Sequence, residues 1–509
     1  MVESWERWLI PVLTADESRA LDSAAVAAGT DSFLLMRRAG ERLAHLLLSR
    51  DPSLPAKRIQ VVVGQGNNGG DGWVAAATLA AAGCTVGVFG PAPVSPDAAR
   101  AKALCPNDLA STVENPHVVL DAMLGTGARG PIRESLVAGS RLLNSATSAL
   151  RVAVDLPSGL DATTGIAADG CMPADLTVTF GSWKRGQLMR RDLVGELVCL
   201  DIGLPRPGSV VLGAATDAWM GHALADPGAL ATKAERGRLI VVGGGEGMAG
   251  ATILAGRGAF GAGGGMVRCY VHHSSLAALN AAVPQATCIP WPSPGLESSG
   301  ELGWAHAMVL GPGFGVDAAR ERVFPWLEAF PGPVLVDADA LTALQGRLAE
   351  FRRIRAGRIT LLTPHAAEAG RLMGVTAAVV KGDPYGAARE LAIASGAVVL
   401  LKGVPTVVDT GCAAVVVPRG GPVLGVGGSG DLLSGMAGAL MAQTQDAAVS
   451  AVAAAFAHGR AGEIAALDGR WRGRTLDDVL RALPAAWGMS AEPLAEHILA
   501  RLPRANARV

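Results

Sequence analysis

The sequence predicts an α/β protein with two domains. Its 509 residues exceed what one compact hydrophobic core normally contains. In both halves, short apolar runs alternate with longer stretches rich in alanine and leucine, which is typical of βα units around a mostly parallel sheet. Proline, glycine and small residues cluster at about residues 208–232, which indicates a linker. We therefore expect domains at residues 1–215 and 225–509.

Each half contains a series of strand candidates. In the first half they are residues 59–64, 84–90, 117–123, 150–157 and 176–181. A helical pattern at residues 17–49 precedes them and breaks near Gly29 and Thr30. In the second half they are residues 238–244, 266–271, 307–313, 333–339, 359–365 and 397–403, with a hairpin-like stretch at 405–417.

Bulk composition excludes several classes of partner. Lysine and arginine number 44 against 45 aspartates and glutamates, so no strong basic field attracts nucleic acid or membrane lipid. No apolar run reaches the roughly 18 residues that a membrane span needs, and the first ten residues do not resemble a signal peptide. The 7 scattered cysteines include no C-x-x-C pair, which favours a reducing cytoplasm. We expect a cytoplasmic homo-oligomer.

The first glycine-rich loop, "GQGNNGGDG", follows the first strand candidate. Gly64, Gly66 and Gly69 satisfy the G-x-G-x-x-G pattern of dinucleotide-binding folds. However, Asp71 falls where a pyrophosphate would rest, and the first acid after the next strand candidate is Asp97, which follows proline, alanine and serine. The loop therefore indicates a site that uses a carboxylate.

Acidic residues follow two further strand candidates of the first half, Asp121 and Asp155. Because the carboxyl ends of parallel strands meet at one crevice, both are expected near Asp71, Asn68 and Ser158. Such oxygen groups suit a hard cation or a proton transfer. The alternative is that the acids cap helices and turns; three of them at successive strand ends favour a site.

The second half contains another G-x-G-x-x-G, at Gly245, Gly247 and Gly250, with no acid in residues 251–294. That absence argues against a dinucleotide-binding dehydrogenase.

A stronger signal in this half is "GVGGSGDLLSG" at residues 425–435, where glycines precede an apolar helical stretch. Backbone N–H groups at such a helix start bind anions. Asp431 is placed to take a proton during phosphoryl transfer, or else it caps the helix.

The stretches "GQGNNGGDG", "LDAMLGTGARGP", "VAVDLPSGLDATTG" and "VTFGSWKRGQL", with "DIGLP" after them, resemble the NAD(P)H-hydrate epimerase domain. The resemblance covers residues of about 12–210, includes "LLMRRAGERLA" and implies a Rossmann-like three-layer αβα fold. It implies substrate contacts at Asn67, Asn68, Gly69, Gly70, Asp71, Gly125, Thr126, Gly127, Ala128, Arg129, Gly130, Pro131 and Asp155. It also implies a potassium ion held by Asn68, Asp121 and Ser158.

The epimerase acid/base group has two candidates. Asp155 lies in the substrate set and outside the implied potassium set, and Asp71 is the alternative. One position departs from the family, because Arg37 stands where an acid is usual.

The second half resembles the ribokinase-like superfamily, and within it the ADP- or ATP-dependent NAD(P)H-hydrate dehydratases. The motifs are "GMAGA", "GPGFG", "TPHAAEAGRLM", "LKGVPTVV" and "GVGGSGDLLSG", over about residues 225–505. The implied substrate contacts are Ala251, Gly313, His365 and Asp431. The implied nucleotide contacts are Lys402, Gly403, Val404, Pro405, Thr406 and Gly430, with Mg²⁺. Ala366, Ala367 and Val426 depart from the family pattern.

Together the two resemblances imply an enzyme that repairs hydrated NADH and NADPH. The first domain would interconvert the R and S hydrates, and the second would dehydrate the S form with ADP or ATP, using Asp431 as base. One alternative is a ribokinase-like small-molecule kinase with an appended nucleotide-binding domain. Another is a nucleotide sensor whose first domain binds ligand without turnover.

Overall fold

The computed structural model describes residues 8–206, 212–291, 301–467, 469–488 and 494–505. The chain forms two compact units. The smaller unit comprises Ile10–Val210 and Ala491–Val509, and the larger unit comprises Met1–Leu9 and Val211–Ser490.

Strands and helices alternate through both units. The strands are β1 (Ile10–Leu13), β2 (Arg58–Val63), β3 (Thr85–Phe89), β4 (Val118–Ala122), β5 (Leu150–Val154), β6 (Leu176–Phe180), β7 (Trp183–Lys184), β8 (Glu196–Leu200), β9 (Leu212–Ala214), β10 (Arg238–Gly243), β11 (Met266–His272), β12 (Thr287–Trp291), β13 (Ala307–Leu310), β14 (Val334–Val336), β15 (Thr360–Leu362), β16 (Val398–Leu401), β17 (Thr406–Asp409), β18 (Ala414–Val417) and β19 (Ile498–Leu502).

The helices are α1 (Ala15–Ala27), α2 (Ser32–Arg50), α3 (Asn67–Ala81), α4 (Pro96–Lys102), α5 (Glu134–Ser145), α6 (Arg185–Met189), α7 (Arg191–Val194), α8 (Asp217–Ala223), α9 (Ala249–Gly261), α10 (Leu276–Ala282), α11 (Val316–Ala329), α12 (Asp339–Ala343), α13 (Leu348–Arg355), α14 (Ala366–Met373), α15 (Ala377–Gly382), α16 (Pro384–Ser395), α17 (Ser429–Thr444), α18 (Ala447–Ala465) and α19 (Leu476–Trp487). No helix in the described ranges is long and apolar enough to cross a membrane.

The smaller unit contains a seven-stranded sheet in the order β19-β8-β6-β5-β4-β2-β3. Its strands run parallel except β19, which is antiparallel to β8. On one face, Val61 of β2 shares a core with Leu43 of α2 and Leu79 of α3. On the other face, Val62 shares a core with Leu143 of α5. Alternate residues of one strand are thus buried under helices on opposite faces, as predicted for an αβα domain.

The main sheet of the larger unit has the order β12-β11-β10-β13-β14-β15-β16-β17-β18-β9. Strands β12 to β16 run parallel, and β17 pairs antiparallel with both β16 and β18, which confirms the predicted hairpin. Cys269 of β11 shares a core with Ala255 of α9 and Met436 of α17. The next residue, Tyr270, points to the opposite face, where its ring contacts Trp326 of α11 at 5.5 Å between centroids. This is the αβα architecture predicted for a ribokinase-like domain.

The two units are not the contiguous stretches 1–215 and 225–509 that composition predicted. Leu9 packs in the core of the larger unit, whereas the last strand, β19, lies at the edge of the smaller sheet. Arg501 pairs with Glu196 of β8, and Arg504 pairs with Asp175 at 2.7 Å. Pairing between strands that are about 300 residues apart leaves no local signal in composition, so the sequence did not indicate it.

We expect Leu502→Ala to loosen the edge of the smaller sheet. Leu502 is 1% exposed, and truncation of a buried leucine costs about 2–5 kcal/mol. Faster amide hydrogen exchange in β8 would show the effect, with a lower midpoint for the unfolding of this unit. Leu499→Ala is the matched control, since Leu499 is 39% exposed on the same strand. Equal exchange rates in the two variants would contradict a stabilising role for β19.

Candidate active sites

The glycine loop of the smaller unit brings backbone segments close together. It joins β2 to α3. A Cβ atom on Gly64 would lie 1.9 Å from the carbonyl oxygen of Met123, and one on Gly69 would lie 2.0 Å from that of Gly64. These glycines are needed for close backbone packing. The G-x-G-x-x-G pattern therefore has a packing explanation that involves no pyrophosphate.

A cavity of about 850 Å³ lies beside this loop, at the carboxyl ends of β2, β4 and β5. Most of the predicted substrate set lines it, namely Asn67, Asn68, Asp71, Gly125, Thr126, Gly127, Ala128, Arg129, Gly130, Pro131 and Asp155. Gly69 and Gly70 lie outside the lining; a Cβ atom on Gly70 would meet the Met36 sulfur at 2.5 Å. Helix α1 forms another wall with Ser18, Arg19, Asp22, Ser23, Val26 and Ala27. The volume suits a small-molecule ligand.

Asp155 is the most heavily hydrogen-bonded carboxylate of the cavity. It is buried, and its backbone has a φ of +63°, a left-handed conformation that is uncommon outside glycine. Its Oδ1 accepts hydrogen bonds from Lys184 Nζ at 2.6 Å and from Thr179 Oγ1 at 2.9 Å. Its Oδ2 accepts from Thr126 Oγ1 at 2.9 Å. Burial by itself raises the pKa of Asp155, but the Lys184 charge and these bonds outweigh burial and lower it.

The pKa values of Asp71 and Asp22 are shifted in the opposite direction, upward. Burial raises the pKa of Asp71 well above its usual value, and the nearby charges of Asp155 and Asp22 raise it further. Burial also raises the pKa of Asp22, although Lys184 acts against it. The cavity thus holds two aspartates with opposite shifts, Asp155 with a lowered pKa and Asp71 with a raised pKa.

Two residues of the implied potassium set, Ser158 and Asp121, contact each other directly, and the third, Asn68, lines the cavity. Ser158 Oγ donates to Asp121 Oδ1 at 2.5 Å, and the Ser158 backbone N–H donates to Asp121 Oδ2 at 2.7 Å. A Cβ atom on Gly125 would lie 3.1 Å from the Asn68 side chain, whose buried Oδ1 and Nδ2 have no hydrogen-bond partner among the described residues. A buried oxygen without a donor, near a carboxylate and a hydroxyl, fits a cation with oxygen ligands.

In the larger unit, the glycine-rich stretch that begins at Gly425 leads into α17 at Ser429. Gly428 precedes the helix with a φ of +89°, a conformation that favours glycine, and the free N–H groups of a helix start suit an anion. Asp431 lies in the first turn. Burial raises its pKa to about 6, and the charges of Asp337, Asp339 and Glu368 raise it while that of Lys402 lowers it.

A buried ion pair lies beside this helix start. Lys402 Nζ is 2.8 Å from Asp337 Oδ1, and the Asp337 side chain is 1% exposed. The other carboxylate oxygen, Oδ2, accepts a short hydrogen bond from Ser434 Oγ of α17. A Cβ atom on Gly430 would lie 3.2 Å from Lys402 Nζ, so the ammonium group lies against the first turn of α17.

The predicted substrate contacts of the larger unit are at strand ends and helix starts. Gly313, with a φ of +59°, lies against Ala251, since its Cβ atom would be 2.9 Å from that of Ala251. His365 caps α14: its Nδ1 accepts from the backbone N–H groups of Ala367 at 3.1 Å and Glu368 at 3.2 Å. The imidazole remains half exposed. Ala251 thus lies beside Gly313, and an isolated β-bridge joins His365 to Lys402.

Comparisons with known proteins cover both units. A family model described as NAD(P)H-hydrate dehydratase matches residues 239–485, and one described as YjeF-related protein N-terminus matches residues 32–186. The bifunctional NAD(P)H-hydrate repair enzyme Nnr of Pyrobaculum aerophilum is 34% identical over 500 residues, which covers 93% of this chain and 97% of that one. The protein of the same name from Escherichia coli is 35% identical over 489 residues, covering 92% of each chain.

The chain belongs to the family of bifunctional NAD(P)H-hydrate repair enzymes. Among solved structures, an ADP/ATP-dependent NAD(P)H-hydrate dehydratase from Bacillus subtilis aligns with a TM-score of 0.47 and 24% identity, over 53% of this chain and 96% of that one.

The predicted nucleotide contacts of this family member lie in two places. Lys402 and Gly430 belong to the cluster at the start of α17. Gly403, Val404 and Pro405 form the turn between β16 and β17, and Thr406 begins β17. Val404 is 73% exposed, so this turn is available to a ligand.

Three residues that sequence reasoning missed complete the two sites. Lys184 pairs with Asp155, Asp22 faces the same cavity from α1, and Asp337 pairs with Lys402. Lys184 lies in the stretch "VTFGSWKRGQL", and Asp337 lies in the strand candidate at residues 333–339. A search for a lysine or an acid in those two stretches would have found them. The unusual Arg37 lies outside the cavity lining and pairs with Glu41 at 3.0 Å on the exposed side of α2.

We expect Lys184 and Asp155 to be strongly coupled in stability. Each of Lys184→Met and Asp155→Asn leaves a buried group without its partner, which costs about 3–5 kcal/mol. The double variant should cost clearly less than the sum, because neither charge then remains buried alone. Denaturant unfolding of the wild type and three variants closes the cycle. Additive losses would show that the pair is not an interacting unit.

Proposed function

We propose that this member of the family repairs hydrated NADH and NADPH in two steps. The smaller unit interconverts the R and S hydrates, and the larger unit dehydrates the S hydrate with ADP or ATP and releases phosphate. The observation that supports the first step best is the pairing of ionised Asp155 with protonated Asp71 in one cavity. Membership of the family does not favour a small-molecule kinase with an appended sensor.

Epimerisation needs one group that gives a proton and one that takes a proton. Whether the hydrate loses its hydroxyl as water or opens its ring, the reverse step adds oxygen to the other face of the same carbon. Asp71 holds the proton that leaves, and Asp155 is the carboxylate that accepts one. Lys184 keeps Asp155 ionised in a buried environment. Asp155 and Asp71 thus have complementary roles, where the sequence treated them as alternatives.

Dehydration begins with phosphorylation of the ring hydroxyl of the hydrate. Asp431 takes the hydroxyl proton, and the N–H groups at the start of α17 bind the transferring phosphoryl oxygens. Phosphate then leaves the ring and the dihydronicotinamide is restored. Ala251, Gly313 and His365 are proposed to contact the hydrate. Residues 402–406 and Gly430 are proposed to contact the nucleotide.

Two metal ions accompany these substrates in the proposal. Potassium would be held by Asn68, Asp121 and Ser158, where it would neutralise the buried carboxylate near the substrate. Mg²⁺ would enter with ADP or ATP and neutralise phosphate charge. The homo-oligomer and the cytoplasmic location stay predictions.

Recovery of dihydronicotinamide absorbance from a mixture of R and S hydrates tests both activities. With ADP or ATP, the wild type should recover the whole mixture. Asp431→Asn should lower dehydration by about 10²–10⁴-fold, since the base is lost. Asp71→Asn should stop recovery at the S fraction once spontaneous epimerisation is subtracted.

The controls separate the two halves of the proposal. Addition of the Asp431→Asn protein to the Asp71→Asn protein should restore full recovery, because each supplies the step that the other lacks. A stable phosphorylated product without release of phosphate would instead establish the kinase alternative. Full recovery by Asp71→Asn alone would exclude Asp71 as the proton donor.

We expect potassium to stabilise the smaller unit through Asn68. A ligand at about 100 times its dissociation constant stabilises the folded state by about 2.7 kcal/mol, which is measurable as a rise in the unfolding midpoint with KCl over NaCl. Asn68→Ala should abolish the difference. Asn67→Ala is the control, because Asn67 instead accepts a hydrogen bond from Ser95 at 2.6 Å. A potassium response that survives in Asn68→Ala would place the ion elsewhere.

A further inference from the structure

Asp337 is a buried carboxylate with two specific partners at the dehydratase site. It lies directly after β14, at the same edge of the sheet as the start of α17. One oxygen accepts from Lys402 Nζ at 2.8 Å, and the other accepts from Ser434 Oγ. Ser434 Oγ is also 3.0 Å from the carbonyl oxygen of Gly430. Asp337 therefore joins the end of β16 to the first turns of α17.

This contact fixes the position of Lys402, the one cation among the described residues that act on Asp431. The groups that act on Asp431 come from four elements: Asp337 after β14, Asp339 of α12, Glu368 of α14 and Lys402 after β16. His365 caps α14 nearby, and buried His458 of α18 is neutral because burial and Lys402 lower its pKa to about 4. Three acids thus oppose ionisation of Asp431, and one lysine favours it.

A lysine held in this way has two consequences for phosphoryl transfer. Its ammonium group lies against Gly430 in the first turn of α17, where backbone N–H groups are able to bind an anion. The helix N–H groups and the ammonium would then both stabilise the phosphoryl charge, and a metal bound with the nucleotide would neutralise further charge. Ser434 prevents Asp337 from rotating, so the lysine keeps one position before substrate arrives.

We propose that Asp337 is a positioning residue of the dehydratase reaction: it holds the Lys402 ammonium at the start of α17, where that ammonium binds the transferring phosphoryl group and offsets the charge of the acids around Asp431. The inference rests on the proposed function of the larger unit. The hydroxyl oxygen of the hydrate bonds to the terminal phosphorus of ATP or ADP, and its proton goes to Asp431. The bond from that phosphorus to the bridging oxygen breaks, and ADP or AMP leaves with the electron pair.

The pH profile of dehydration tests this role. In the wild type, kcat should rise as pH increases through about 6, because Asp431 must be ionised to act as base. Lys402→Met should move the rising limb of the kcat–pH profile to higher pH by about one unit or more, since the cation that favours ionisation of Asp431 is lost. Asp337→Asn should move it to lower pH, since a like charge is lost.

Both variants should also lower kcat, by about 10²-fold for loss of a charged donor to the phosphoryl group. Lys402→Arg keeps the charge and should keep the wild-type limb while kcat falls, because a guanidinium does not fit the ammonium position. If Asp337→Asn fails to fold, the double variant Asp337→Asn with Lys402→Met removes the unpaired charge of Lys402. Its kcat should be low, and the rising limb of its kcat–pH profile should return toward the wild-type pH.

The outcomes distinguish the inference from the function on which it rests. Full activity of Asp431→Asn would overturn the proposed base and the dehydratase reading of this site. Loss of activity in Asp431→Asn, together with limbs that do not move in Lys402→Met and Asp337→Asn, would overturn the positioning role alone. A uniform drop in kcat with no displacement of the limb would reduce Asp337 to a structural residue.

Discussion

Each site contains a lysine–aspartate ion pair at a strand end, and the arrangement of its other polar groups depends on that pair. In the smaller unit Lys184 is 2.6 Å from Asp155, and in the larger unit Lys402 is 2.8 Å from Asp337. Both aspartates are at the carboxyl end of a parallel strand. Two charges removed from water stay ionised only if they are paired and hydrogen-bonded. Each pair therefore joins the end of a strand to a lysine that lies in or directly after another strand.

Each site also contains a second aspartate, whose pKa is raised. Burial and the charge of Asp155 raise the pKa of Asp71, whereas burial and the charge of Asp337 raise the pKa of Asp431. Proton-transfer catalysis near neutral pH needs such groups, since an aspartate of ordinary pKa is a poor donor and a weak base. The common arrangement is a consequence of the αβα architecture, which collects the strand ends of each sheet at one edge.

The sequence predicted the acidic residues of both sites better than their partners. Asp71 and Asp431 were found because each lies in a glycine loop between an apolar run and a helix, which is a local pattern. Lys184 and Asp22 were missed because they come from a two-residue strand and from a helix that precedes the first strand of the main sheet, and only tertiary packing brings them to the cavity. Asp337 was part of a predicted strand end, but the lysine that gives it a role is 65 residues away in the chain.

The division of the chain was the less predictable part of the fold. Composition predicted a linker at about residues 208–232, because backbone entropy and side-chain size act locally. The exchange of terminal segments depends on strand pairing at long range. Core residues followed the predicted alternation, since burial on both faces of a parallel strand requires apolar side chains in sequence.

The last strand has a consequence for the order of events during synthesis. β8 is complete once residue 200 is added to the chain, but its partner β19 ends at Leu502. At roughly 5–20 residues per second, the edge of the smaller sheet stays uncovered for about 15–60 s. An uncovered strand edge is a template for pairing with other chains. The nascent polypeptide therefore carries an exposed edge through translation of the entire larger unit, and chaperone access to β8 matters most in that interval.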